Sequence, residues 1–337
     1  MRYIGGKGQL TDNILEIVRQ YTQDVHTVTD IFSGSGIVAR TFKQQGYSVT
    51  ANDFLYFSYV INRGILCNNR TTQRIREIIN HLNNLPTEQA DPNNPANFIA
   101  YNYAPNAFNN RMYFQSGNAL KIDVIRQEIE RLREEITENE YFYILACLVS
   151  AVPYVANITG TYAAYLKYWD VRTYKPLKLE EIPIISSREH CHVYNMAAEE
   201  LAGHIRSDLI YMDPPYNERE YLPNYHILET IARYDKPEIH GITGMRAEND
   251  RKSDFCKKNR VREAFNNLLQ NLHCRYALIS YNNEGLLPTE ELAEIVQAHG
   301  MPETFRLFEF AYRRYKNKIP NNSEGLKEQL YFIQLHE

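Results

Sequence analysis

The stretch "TVTDIFSGSGIVARTFKQQGYSVTAND", residues 27–53, constrains the fold of this chain more than any other. Thr27 to Phe32 are mostly β-branched or apolar and read as a strand. "SGSG" supplies a turn, the apolar spacing that follows fits a helix, and Gly46 closes it. "YSVTAND" reads as a second strand with Asp53 at its end. Two strands joined by a helix pair in parallel, because the crossover returns the chain to the same edge of the sheet. The chain therefore opens as α/β, with a helix before it whose Leu10, Ile14, Ile17, Val18 and Tyr21 share one face.

The alternation then breaks. Residues 65–190 are rich in Asn, Tyr and charge, include the turn-dense "ADPNNPANF", and carry a helical stripe at Ile125, Ile129, Leu132 and Ile136. They read as a mostly helical insertion, with "RQEIERLREEITENE" as a single helix bearing a solvated face. Strands resume at "SDLIYMD" and "RYALISYNNEG", around a helix with Val261, Phe265, Leu268, Leu269 and Leu272 on one side. "TFRLFEFAYRRYK" and "EQLYFIQL" read as a closing antiparallel hairpin. The domains expected are thus a catalytic unit of residues 1–64 and 191–337, and an insertion of residues 65–190.

Two motifs carry chemistry. Gly34, Gly36 and Ala39 meet the G-x-G-x-x-[GA] pattern between strand and helix, and Asp53 stands about 20 residues on, where an acid grips ribose hydroxyls. S-adenosylmethionine and NAD share that adenosine, so the loop leaves both open. The second motif, Asp213-Pro214-Pro215-Tyr216, ends a buried strand. Neither proline donates a backbone hydrogen bond, and each restricts the residue before it, so the segment is a stiff shelf at a carboxyl end, where open α/β sheets bind ligands. Asp213 and the carbonyl of Pro214 can accept two hydrogen bonds from an amino group, and Tyr216 offers a face for stacking. That suits methylation of an exocyclic amine such as adenine N6, whose lone pair is delocalised until two acceptors favour tetrahedral nitrogen. A base inside a duplex must be flipped out to reach such a shelf.

With "YIGGKGQL" (3–10), "DIFSGSG" (30–36), "ND" (52–53) and "DPPYN" (213–217) in this order, the sequence resembles the Dam-like adenine-specific DNA N6-methyltransferases. "GTYAAYLK" (160–167), "REYLPNYHILET", "SYNNEG" (280–285) and "YRRYK" (312–316) resemble the subgroup that accompanies type II restriction systems. The resemblance implies a Rossmann-like class I methyltransferase fold: a seven-stranded, mostly parallel sheet with one antiparallel strand and a helical target-recognition insertion. It implies S-adenosyl-L-methionine as cofactor and sequence-specific N6 methylation of double-stranded DNA. Asp213, Pro214, Pro215 and Tyr216 would form the catalytic shelf. Lys7 would reach the cofactor's carboxylate or nearby DNA; Phe32, Gly34 and Gly36 would line the methionine pocket, with Asp30 on its amino group. Asp53 would bind ribose, and Tyr3 would wall the pocket. Relatives often carry an acid on the cofactor's adenine shortly before the shelf; "HVYNMAAEEL" offers Asn195 instead. The alternatives are an RNA or other amine acceptor, or a catalytically idle DNA-binding subunit.

Composition bears on partners. Net charge is −4, yet residues 246–262 hold seven basic residues against three acids, and residues 313–318 add four more. Such patches supply phosphate contacts on an acidic protein. Arg219, Arg251, Lys252, Lys257, Lys258, Arg313, Arg314 and Lys316 are the DNA-binding candidates. A cognate restriction endonuclease acting on the same site is the partner implied. No run is long and apolar enough for a membrane span, the start lacks a signal-peptide core, and the five widely spaced cysteines fit free thiols in a reducing compartment. A prokaryotic or phage-type cytoplasmic protein, reaching the nucleoid through DNA, is expected. "REHCHVY" tempts a metal reading, but neighbours on a strand point to opposite faces, so no metal is expected.

Overall fold

The computed structural model describes residues 6–247, 252–311 and 325–336. Seven strands form one sheet: β1 (Thr27–Asp30), β2 (Ser48–Asn52), β3 (Cys191–Tyr194), β4 (Arg206–Met212), β5 (His273–Asn282), β6 (Arg306–Ala311) and β7 (Lys327–Gln334). Their spatial order is β3-β2-β1-β4-β5-β7-β6. The first five pair in parallel, with Val28 opposite both Val49 and Leu209, whereas β7 runs antiparallel to its neighbours β5 and β6. The expected α/β sheet with one antiparallel strand is what the chain forms. Chain order reverses between β1 and β4, so a crevice opens at the carboxyl ends of those strands.

Alternation along each strand builds a core on either side. Leu209 and Tyr211 pack with Ile14, Val18, Val38 and Phe42, from the helices α1 (Thr11–Tyr21) and α2 (Ile37–Gln44). Ile210 and Met212 face the other way, onto α8 (Ala198–Ala202), α10 (Val261–Gln270) and α11 (Thr289–Ala298).

A third core is helical. It joins α3 (Tyr56–Leu66), α4 (Gln73–Asn84), α5 (Phe98–Tyr103), α6 (Ser116–Arg131) and α7 (Glu138–Ala151), and takes in Ile227, Leu228 and Ile231 of α9 (Leu222–Arg233). Every residue from Tyr141 to Val149 is buried, so α7 is the centre of this layer. Gly64 lets α3 approach it: a Cβ there would lie 2.6 Å from the Phe142 carbonyl oxygen.

The helix expected across Arg126–Glu140 is interrupted. It ends at Arg131, passes through a 3₁₀ turn at Leu132–Glu134, and restarts where Thr137 and Glu140 form a reciprocal capping box. That box satisfies the first orphan donors of α7, which makes a fresh start there favourable. Among the described residues, no helix is long and apolar enough to cross a membrane.

Candidate active site

The loop after β1 is built to bring main chain close to a ligand. The Ser33 amide and hydroxyl both donate to the Asn52 carbonyl, at 2.8 and 2.9 Å, tying the loop to the end of β2. Buried Asn62 on α3 clamps it from behind, its Nδ2 donating to Ser33 Oγ (3.0 Å), Gly34 O (3.1 Å) and Ser58 O (2.9 Å). Gly36 has φ of 72°, and a Cβ there would meet Asn62 Oδ1 at 1.9 Å. Gly36→Ala is therefore expected to cost more than about 1 kcal/mol, through left-handed strain and a displaced Asn62. Urea unfolding checks this; an unchanged midpoint would remove the argument for a clamped loop.

Asp53 secures the same loop. Its Oδ2 accepts from the Gly34 amide at 2.7 Å and its Oδ1 from the Leu55 amide at 2.8 Å. Each carboxylate oxygen keeps a further lone pair for a hydroxyl donor. Burial pushes its pKa up to about 7, against the pull of those two amides. Asn195 does not face a ligand through its amide nitrogen, which donates to the main-chain oxygens of Asp53 (2.7 Å) and Phe54 (2.9 Å). Phe32 is held edge-on by Phe255, with ring centroids 5.3 Å apart. Asp30 is buried, and its Oδ1 has no hydrogen-bond partner in the structure. Burial raises its pKa well above the carboxylate range, and Asp213 and Asp53 add to the effect.

The shelf leaves β4 at Met212. Asp213 Oδ1 lies 2.8 Å from Lys7 Nζ, which also reaches Glu328 Oε1 at 3.1 Å. Burial pushes Asp213 up to about 6; Lys7 opposes the rise and Glu328 adds to it. For Lys7, burial works against the charge, but Asp213 and Glu328 outweigh it and hold its pKa above the usual lysine value. Pro214 is buried and Pro215 faces the cavity. The Tyr216 carbonyl accepts from the Leu286 amide at 2.9 Å, and its ring is half-buried against the α10–α11 core.

One cavity of about 720 Å³ joins loop and shelf. Lys7, Asp30, Phe32, Gly34, Asp53, Asn195, Asp213, Pro215 and Lys252 line it; Gly36, Pro214 and Tyr216 do not. Arg219 and Lys258 are exposed and do not line it, and Lys257 is paired with Asp254 at 2.8 Å. Tyr3, Arg251, Arg313, Arg314 and Lys316 lie outside the described residues. Glu199 and Glu200, in the first turn of α8, also line the cavity and bring acids to it just beyond Asn195. Sequence reasoning missed them, along with Asn62 and Glu328. Among the described residues, no group of three or more His, Cys, Asp or Glu could hold a metal.

A family model described as D12 class N6 adenine-specific DNA methyltransferase matches residues 3–295. The chain is 42% identical to the type II methyltransferase M.FokI of Planomicrobium okeanokoites, over 99% of its own length and 52% of the relative's. With modification methylase StsI of Streptococcus sanguinis the identity is 34%, over the same two shares. With type II methyltransferase M.NlaIII of Neisseria lactamica it is 33%, over 100% of this chain and 99% of the relative. The chain thus spans about half the length of the first two relatives, at 52%, and nearly all of the third, at 99%.

Proposed function

The chain belongs to the D12 class of N6 adenine-specific DNA methyltransferases, and from that premise we propose that it methylates adenine N6 at a specific sequence in double-stranded DNA. The donor is S-adenosyl-L-methionine, and the setting is the modification half of a restriction–modification system with a cognate endonuclease.

The observation that carries the donor is the charge of the cavity. Acids outnumber cations in its lining: Asp30, Asp53, Glu199, Glu200 and Asp213 are among them, against Lys7, which Asp213 and Glu328 already hold, and the exposed Lys252. A pyrophosphate would be repelled there; a ligand carrying a sulfonium and an α-ammonium would be drawn in. Asp30, with one oxygen unpartnered, would take the ammonium, and Asp53 the ribose hydroxyls. When bound, S-adenosylmethionine supplies an electrophilic methyl group.

The chain's own residues do the rest. Asp213 and the Pro214 carbonyl accept the two N6 hydrogens, which localises the lone pair on nitrogen. Tyr216 stacks the base. The proton that N6 sheds passes along its hydrogen bond to the Asp213 carboxylate. Because Asp53 titrates near 7 and only its ionised form accepts from two hydroxyls, affinity for S-adenosylhomocysteine is expected to fall about tenfold per pH unit below that value. Titration calorimetry from pH 5 to 8 checks it, with Asp53→Asn expected to weaken binding and flatten the profile; a flat wild-type profile removes Asp53 from the ribose.

Residues 65–190 are proposed as the target-recognition region. Their loop beside α9 is well organised: buried Asn157 donates to the carbonyls of Leu166 and Tyr168, both at 3.0 Å, and the Tyr162 amide donates to Asn224 O at 2.8 Å. This sets exposed Tyr168 and Tyr174, with Lys167 and Lys175, on a segment anchored to the helix that follows the shelf. Aromatic rings interleaved with cations suit unstacked bases and phosphates.

The test is transfer of labelled methyl from S-adenosylmethionine to unmethylated plasmid DNA, RNA and protein extract. Label recovered as N6-methyladenine in DNA supports the reading. Label in RNA or protein moves the acceptor, and DNA binding with no transfer leaves a recognition subunit.

A further inference from the structure

The ammonium of Lys7 serves two carboxylates, and the second belongs to no motif. Glu328 sits on β7, the antiparallel strand, and is 2% exposed. Its Oε1 receives both Lys7 Nζ at 3.1 Å and the hydroxyl of Ser280 on β5 at 2.8 Å. Lys7 and Ser280 are themselves 4% and 0% exposed. Burying an acid this deeply is costly unless it is paired, and one acid, Asp213, would already have balanced one lysine. Lysine is a compact charge on a flexible stem, so a single partner leaves it free to swing. A second partner fixed by two strands removes that freedom. The consequence falls on Asp213: with Oδ1 held at 2.8 Å by an immobile ammonium, its other oxygen is left to meet an amino group on the shelf.

We propose that Glu328 is a positioning residue for methyl transfer, acting through Lys7 to orient the Asp213 carboxylate toward the N6 amine. The proposal rests on the reading of the shelf given above. Glu328 also acts on charge. Asp213 is faced by Lys7 from the N-terminal turn, Glu328 from β7, Asp30 from β1, Tyr211 from β4 and Tyr221 from the turn before α9. Of these, Lys7 favours its ionised form, whereas Glu328 opposes it.

The experiment measures single-turnover methyl transfer to a duplex carrying the target site, from pH 5 to 9, for the wild type, Glu328→Gln and Glu328→Asp. Gln keeps the shape and can still accept from Ser280, but gives Lys7 no charge. Its rate is expected to fall about 10- to 100-fold, with S-adenosylhomocysteine affinity within about twofold of wild type. The acid limb of its profile should move to lower pH, because a negative neighbour of Asp213 is gone. Glu328→Asp should restore the limb and part of the rate. A folded Glu328→Gln with wild-type rate and an unmoved limb overturns the proposal, as does an equal loss of rate and donor affinity. Should Glu328→Gln not fold, Ser280→Ala loosens the same anchor while keeping every charge. A severalfold slower transfer at unchanged donor affinity then supports the proposal, and an unchanged rate overturns it. A wild type that methylates no DNA fails at the earlier step, the function itself.

Discussion

Asp213→Ala is expected to slow methyl transfer to DNA by about 10²–10³-fold, the effect of removing one preorganised group that stabilises developing charge. Affinity for S-adenosylhomocysteine should stay within about threefold, because Asp30 and Asp53, which would hold it, stand at the ends of β1 and β2 rather than on the shelf, and Asp53 keeps the Gly34 and Leu55 amides. Lys7 keeps Glu328 at 3.1 Å, so no buried charge is left alone. Single-turnover rates and titration calorimetry on the same preparation separate the two effects. A variant that keeps more than about a tenth of the wild-type rate would mean that Asp213 does not activate the amine, since loss of such a group costs far more.

Lys7→Met is expected to be the most destabilising single change near the site. It strands two carboxylates, with side chains 19% and 3% exposed, where one ammonium had served both. Removing one partner of a buried ion pair costs about 3–5 kcal/mol, more than the pair's net contribution, because the survivors keep their desolvation penalty. The sign with pH follows from linkage. Asp213 already has a folded pKa near 6, above its unfolded value, and loss of the cation raises it further. Such a group binds its proton more tightly in the folded state, so stability is retained at low pH and lost as pH rises through the folded value. Urea unfolding should therefore show a larger deficit at pH 8 than at pH 5. Equal deficits at both would mean that packing of the lysine stem, not charge, is what the substitution removes.

The sequence made the framework legible because its signals are local. A strand, a glycine turn, a helix and Asp53 fall within one short stretch, and the pair of prolines after Met212 stiffens its segment whatever surrounds it. The antiparallel hairpin was legible for the same reason, as two strand patterns across a polar loop. The interruption at Leu132–Glu134 was masked by an apolar stripe that continues in register, although the Thr137–Glu140 capping box stood in the sequence as a start signal.

What periodicity and motif could not supply is the partner of each buried polar group. Asn195 lines the cavity as the sequence suggested, but only the fold shows that its amide nitrogen is engaged by the main chain of Asp53 and Phe54 and that Glu199 and Glu200 join it there. Lys7 lines the cavity, and only the fold shows that Asp213 and Glu328 flank its ammonium. By itself the sequence determined the α/β sheet, the glycine loop, the Asp-Pro-Pro-Tyr shelf and the family to which they belong, since backbone preferences and short-range spacing are written residue by residue. Only the tertiary structure decided that Asn62 clamps the loop and that a glutamate on β7 anchors the lysine of the shelf. Those contacts join residues far apart in the chain, and a buried charge takes as partner whatever the sheet order places within about 3 Å of it.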